Sequence, residues 1–160
     1  MNELKKNIIS MYNDEGKQWL DSLPEITDKI AQKHNLSELS PVNNMTFNYV
    51  ASGYQNDKPI ILKIGMNSKA LTKEASCLKA FAKHATAEVI AHDNNMIIMQ
   101  RAVPGNTIKD HFPDNDIEAT KILCASIKWG SAVYQTYHQI GLETAAYAIH
   151  NGRAVTVHPV

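Results

Sequence analysis

The sequence lacks the long apolar segments of a membrane or secreted protein. It has no run near the roughly 20 apolar residues that span a bilayer, and its start, MNELKKNIIS, has no signal-peptide core. Its two cysteines, Cys77 and Cys124, lack the paired spacing of a zinc site. These absences predict a protein of the reducing cytoplasm, with no membrane association and no metal site.

The sequence also lacks an excess of charge of either sign and the common nucleotide and hydrolase motifs. Sixteen basic residues balance sixteen acidic ones, so no global field favours binding to nucleic acid. Neither G-x-x-x-x-G-K-[ST] nor G-x-S-x-G occurs, and the seven histidines show no metal-ligand spacing. Any ligand or partner must therefore be recognised locally.

What is present predicts an α+β protein of one domain, or one lobe of something larger, in 160 residues. The periodicity predicts two helices between Leu4 and about His34, the second beginning at Pro24. The sequence MTFNYVASG, from Met45, and PIILKI predict a hairpin around the turn YQNDK.

Beyond the hairpin, the pattern changes to a helix, two strands and a further helix. Leu71, Ala75, Leu78 and Ala82 recur at helical spacing in NSKALTKEASCLKAFAKH, with Ser68 as the expected cap. The strands AEVIAHD and MIIMQRA flank a turn at Asp93 to Asn95, and the run from Asp114 to about Lys128 is helical.

The final segment, 129–160, differs in composition from everything before it. It contains only Glu143 and Arg153 as charged residues, whereas 1–128 contains the other thirty. A buried or partner-covered terminal segment is one explanation, and a change of reading frame is another. The sequence leaves both open.

The most informative stretch is PIILKIG, because it has a lysine at the end of an apolar strand. Side chains alternate in a strand, so Lys63 shares a side with Ile61. Glu74 is three residues from Leu71 and four from Leu78, which puts its carboxylate on the apolar stripe of the next helix. The two groups either pair with each other or are both solvated.

The order of these elements resembles the small lobe of the kinase fold, and more closely the aminoglycoside phosphotransferase family, in its streptomycin-type and hydroxyurea-type resistance kinase branch. The resemblance covers about Trp19 to Lys128. The segments that carry it are FNYVASG, PIILKIG, KEASCLKAF, AEVIAHD and IIMQRAVPGNTI. It implies a kinase-like small lobe, with an antiparallel sheet and a packed helix, preceded by helices and followed by a helical C-terminal segment.

The resemblance also implies roles for individual residues. Lys63 would bind the phosphates of ATP, Glu74 would be its ion-pair partner, and Met99 would precede a hinge at Gln100 to Ala102 whose backbone faces the adenine. The turn from Ser52 to Lys58 would overhang the phosphates. Full-length relatives are expected to use ATP with Mg²⁺ and to phosphorylate an alcohol group of an antibiotic.

The catalytic part of that family is missing from the sequence. The motif H-G-D-x-H-x-x-N and the following I-D-x-x strand are absent, so no catalytic residue and no metal ligand is assigned. The expected organisation is a small lobe at 1–102, a hinge and large-lobe start at 103–128, and a divergent tail at 129–160. The chain is expected to be a truncated, inactive phosphotransferase.

Two other hypotheses remain open at the level of sequence. One is a non-catalytic nucleotide- or protein-binding module, which could self-associate through the uncovered face of the lobe. The other is an α+β domain with no nucleotide role, in which Lys63 would contribute nothing to nucleotide affinity.

Overall fold

The computed structural model describes residues 1–43, 45–81, 87–103, 105, 108–125, 147–150 and 153–156. The chain divides into two compact units. Unit 1 holds Met1–Thr72 and Val89–Arg101, and unit 2 holds Lys73–Glu88 and Ala102–Val160. Within the described residues, no helix combines the length and the apolar character needed to cross a bilayer.

Unit 1 is built around a five-stranded antiparallel sheet, as expected for an α+β fold. Helix α1 comes first and is followed by strands β1, β2 and β3, by the start of helix α2, and by strands β4 and β5. The sheet order is β1-β2-β3-β5-β4. The bounds are α1 Asn2–His34, β1 Leu36–Pro41, β2 Tyr49–Gln55, β3 Lys58–Ile64, α2 Ser68–Phe81, β4 Val89–His92 and β5 Met96–Gln100.

The predicted β2–β3 hairpin is confirmed, with narrower bounds. Strand β2 begins at Tyr49 rather than Met45, and a two-residue turn at Asn56 and Asp57 joins it to β3. Both turn residues have positive φ, 49° and 63°, which suits the right-handed twist of the flanking strands.

The predicted strands β4 and β5 and the turn between them are also confirmed. In this turn the Asp93 carboxylate accepts hydrogen bonds from the Asn95 and Met96 amides.

Helix α1 breaks at a different residue from the one predicted. The chain leaves helical geometry at Asn13, with φ 50° and ψ −124°, and Pro24 lies inside the second helical part. Asparagine tolerates positive φ better than most residues, which suits it to the break. In the turn before Pro24, the Ser22 hydroxyl donates a hydrogen bond to the Trp19 carbonyl.

Strand β1 has no counterpart in the sequence-based prediction. Helix α1 ends at Asn35, whose left-handed conformation turns the chain directly into this strand. The β1–β2 register shifts between Ser37 and Ser40, and Glu38 between them has φ 52°. This bulge disrupts the alternation by which a strand is recognised in a sequence.

Helix α1 packs on one face of the sheet. Leu4, Ile8 and Leu23 of the helix belong to the same buried cluster as Leu62 and Ile98 of the central strands. Because these side chains are nearly or fully removed from water, this packing contributes hydrophobic stabilisation to unit 1.

Polar contacts fix α1 against the sheet. The Asn7 side-chain amide donates to the Thr46 carbonyl at 3.0 Å, and the Gln55 amide donates to the His34 carbonyl at 2.7 Å. Tyr49 of β2 shares a side-chain hydrogen bond with Thr27. Burial raises the pKa of the Tyr49 phenol, and the bond to Thr27 partly offsets this.

Unit 2 contains the rest of α2 and the described elements that follow β5. They are α3 (Ile108–His111), a helical stretch at 116–125, and an antiparallel hairpin of β6 (Tyr147–His150) and β7 (Arg153–Thr156). The Asn115 side chain accepts a hydrogen bond from the Glu118 amide and so caps the helical stretch. This confirms most of the helix predicted from Asp114, while 126–128 lie outside the described residues.

The cap of α2 is Asn67 rather than the expected Ser68. The Asn67 side-chain oxygen accepts a hydrogen bond from the Ala70 amide at 3.0 Å, and its carbonyl accepts one from Leu71 at 3.1 Å. Ser68 is then the first helical residue. Asparagine and serine have similar capping strength, so the sequence did not show which of the two residues would cap the helix.

We predict that Gly16→Ala will destabilise the protein by about 1–3 kcal/mol, because overpacking forces neighbouring atoms to move. A methyl group there would lie 2.7 Å from the Ile8 carbonyl oxygen, where the two parts of α1 meet. Urea unfolding followed by circular dichroism measures the loss.

Asn13→Gly is the matched variant, since glycine adopts the left-handed region without steric cost. It is expected to leave the free energy of unfolding unchanged or slightly raised. An equal loss in both variants would contradict the close approach at Gly16.

Candidate functional site

The predicted alternation along β3 is confirmed by burial. Ile60, Leu62 and Ile64 are at most 1% exposed and face the α1 core. Ile61 and Lys63 are half-buried, on the opposite side. Lys63 therefore extends from a sheet face that is neither fully buried nor fully exposed.

The residues on that side define a surface that we call the lysine face. They occupy corresponding register positions of β2, β3 and β5, so their side chains share one side of the sheet. None of them is acidic. The members are Val50, Ser52, Tyr54, Pro59, Ile61, Lys63, Ile97 and Met99.

Lys63 lies between apolar neighbours on the lysine face. Val50 of β2 and Ile97 of β5 are its direct partners in the register, and Ile97 is fully buried. A lysine in this setting packs its methylene stem on the neighbours and carries its charge beyond them. The ammonium therefore lies at the margin of the apolar surface.

Glu74 lies on the apolar stripe of α2, as the helical spacing predicted. Leu71, Ala75 and Leu78 are buried and Glu74 between them is half-buried, so the carboxylate is at the stripe rather than on the solvated side. Ala82, the last predicted member of the stripe, lies outside the described residues. Lys63 belongs to unit 1 and Glu74 to unit 2, and their ion pair remains a prediction.

Cys77 is a buried thiol on the same helix, with 4% of its surface exposed. Burial raises the pKa of the Cys77 thiol, the nearby Lys73 lowers it, and Glu74 raises it further. The carboxylate of Glu74 thus contributes to the electrostatic environment of this part of α2.

The predicted hinge follows directly from the sheet. Gln100 ends β5 opposite Ile60, and the next amide, that of Arg101, donates to the Pro59 carbonyl at 3.0 Å. In an antiparallel pair, this bond makes Gln100 and Ile60 a non-hydrogen-bonded pair. The backbone groups of Gln100 therefore point away from β3. Ala102 is exposed, and the adenine-facing role of the hinge remains a prediction.

A contact that the sequence analysis missed lies at the same end of the face. The Arg101 guanidinium carbon is 5.9 Å from the centroid of the Tyr54 ring, within the range of a cation–π interaction. Both residues are half-buried. Only the register between β2, β3 and β5 brings them together, so no local sequence pattern indicates the contact.

The turn predicted from Ser52 to Lys58 is shorter in the structure, and its position over the phosphates remains a prediction. Ser52 and its neighbours up to Gln55 are paired strand residues, and so is Lys58. Only Asn56 and Asp57 form the turn. Both have positive φ, and two such residues are enough to connect the strands of a hairpin.

The connection between β1 and β2 contacts the chain just after β3. Within it, the Asn48 side-chain oxygen lies against Gly65, where a Cβ would collide with it. The Gly65 amide donates to the Asn95 carbonyl at 3.0 Å. The glycine that ends PIILKIG therefore allows three segments to meet two residues beyond the lysine.

Comparisons of the sequence with protein-family models and with curated proteins give no match. Among the described residues, no group of three or more His, Cys, Asp or Glu side chains is arranged to hold a metal ion. The lysine face is therefore the feature of the described residues from which a function can be inferred.

We predict opposite effects of two α2 substitutions on alkylation of Cys77. Glu74→Gln removes a charge that raises the thiol pKa, so more thiolate forms and the rate at pH 8 rises. Lys73→Met removes a charge that lowers the pKa, so the rate falls. Mass spectrometry of iodoacetamide-treated protein measures the rate at each cysteine.

The exposed Cys124 provides an internal reference in the same molecule. It is expected to react faster than Cys77 in every variant. Rate changes of the same sign in both variants would contradict the electrostatic assignment.

Proposed function

We propose that the chain binds a nucleoside triphosphate, such as ATP, in the manner of the small lobe of an aminoglycoside phosphotransferase. The observation that supports this most strongly is the setting of Lys63. It is half-buried on a central strand, on an apolar face without an acidic member in β2, β3 or β5. A triphosphate is the kind of ligand that a lysine at the edge of an apolar surface recognises.

The order of elements around the lysine supports the same proposal. In kinases, a lysine of the third strand binds the α- and β-phosphates and pairs with a glutamate of the following helix. Here Lys63 is on the third strand of the chain, and α2 with Glu74 follows it. Strand β5 then pairs with β3 and leads into Gln100 to Ala102.

The residues have separable roles under this proposal. Lys63 binds phosphate oxygens, Glu74 orients the lysine, and the backbone of Gln100 and Ala102 bonds to the edge of the base. Ile61 and Met99, which are opposite each other in the register, provide an apolar surface for the ring. Each role is one of binding or orientation, which are the main contributions of a protein to phosphoryl transfer.

The proposal for this chain is nucleotide binding rather than complete catalysis. The 160 residues contain no H-G-D-x-H-x-x-N motif to supply the aspartate beside the acceptor hydroxyl. Transfer to an alcohol group of a streptomycin-type antibiotic is proposed only as the activity of the wider family. The tail, 129–160, has no role in the proposal.

We predict that Lys63→Met will weaken ATP binding by about 10- to 100-fold, since hydrogen bonds to charged groups contribute about 1.5–3 kcal/mol. Titration of the full chain with a fluorescent ATP analogue, followed by competition with ATP, measures the dissociation constant. Lys58→Met is the matched control, because it removes the same charge from the exposed start of the same strand. It is expected to change the constant less than twofold.

Two results would contradict the proposal. One is no detectable nucleotide binding by the wild-type chain, and the other is an equal loss in the Lys58 and Lys63 variants. A phosphoryl-transfer assay with streptomycin tests the separate expectation of no turnover. Turnover by the purified chain would show that its own residues supply the missing catalytic groups.

A further inference from the structure

Arg101 is a second cation beside the lysine face, where it contacts two members of that face, Tyr54 and Pro59. Its backbone amide is fixed to Pro59, so the extended pairing with β3 continues one residue beyond the end of β5. Because side chains alternate, Arg101 points to the same side as Met99. Its guanidinium lies over the ring of Tyr54, another member of that face.

The contact with Tyr54 places the guanidinium carbon 5.9 Å from the ring centroid, at the outer range of a cation–π interaction. Such an interaction uses the charge of the guanidinium and leaves N–H donors for other partners. Arg101 is also half-buried, which limits the side-chain freedom that is lost when a ligand binds. Like every arginine, Arg101 offers a ligand N–H donors and no acceptor atom.

The two cations are at opposite ends of the lysine face. Pro59, which the Arg101 backbone contacts, is four residues from Lys63 along β3, or about 13 Å at the usual rise per residue. The apolar side chains of Ile61 and Met99 lie between these positions. If the phosphates lie at Lys63, a base on this apolar surface extends towards Arg101.

The chemistry of arginine then distinguishes between bases. Guanine has two neighbouring acceptors, O6 and N7, and arginine binds them in a bidentate manner. Adenine has a donor, the N6 amino group, in place of O6, and a guanidinium offers that donor no acceptor.

We infer that Arg101, held over Tyr54, reads the base and makes the site selective for guanine nucleotides over adenine nucleotides. This inference depends on the proposed nucleotide-binding function and specifies its ligand. It makes Arg101 a specificity-determining residue at the opposite end of the face from the phosphate-binding lysine.

The test compares GTP, ITP and ATP as competitors of one fluorescent nucleotide on the full chain. ITP keeps O6 and N7 but lacks the N2 amino group of guanine. Its affinity therefore measures the contribution of the two acceptors that arginine binds. GTP and ITP are expected to bind similarly, and each about tenfold more tightly than ATP, as one bidentate contact allows.

Variants assign the preference to Arg101. In Arg101→Met, which keeps a long side chain but has no donors, the GTP to ATP affinity ratio is expected to fall to about one. Tyr54→Leu, which removes the aromatic surface, is expected to reduce the ratio in part. Because the ratio compares two ligands on one variant, a loss of folded protein affects both measurements equally.

The outcomes separate this inference from the proposed function. If GTP and ATP bind equally, if ITP binds as ATP does, or if Arg101→Met keeps the preference, base selection by Arg101 is wrong and nucleotide binding stands. If none of the three nucleotides binds, the proposed function fails, and the inference fails with it.

Discussion

The packing of α1 on one face of the antiparallel sheet is the interaction on which the rest of unit 1 depends. Leu4, Ile8 and Leu23 remove one face of the sheet from water, together with Leu62 and Ile98 beneath them. Because alternate residues of each strand face opposite ways, this burial determines which residues lie on the other side. A shift of one residue in the register of β3 would bury Lys63 in the core and expose leucine and isoleucine.

Features encoded within a short segment could be predicted from the sequence. The alternation of β3 placed Lys63 correctly, the three- and four-residue spacing of α2 identified its buried stripe, and Asp93 marked the β4–β5 turn. In each case the residues that carry the signal are the residues that form the structure. Periodicity and turn chemistry are sufficient there, because no distant segment alters the local preference.

Features that depend on distant segments or on a single backbone angle could not be predicted. Strand β1 pairs through a bulge at Glu38, and α1 breaks at Asn13 although Pro24 is the stronger sequence signal. The Arg101–Tyr54 contact requires the register of three strands. For the site, the sequence indicated the half-buried position of Lys63 and the stripe position of Glu74, but not the aromatic contact of Arg101 or the two-residue length of the β2–β3 turn.

The order of the strands has a consequence for how the lysine face assembles. The β2–β3 and β4–β5 pairs are hairpins, whereas β3 and β5 join residues as far apart as Ile60 and Gln100. Closing the longer loop costs more chain entropy, so this pairing is the slowest step expected in sheet formation. Lys63 enters the sheet with the early hairpin, and Ile97, Met99 and Arg101 join later. The lysine face is therefore a product of the last closure, and a chain stalled before it would have Lys63 in the sheet without Ile97 and Met99 beside it.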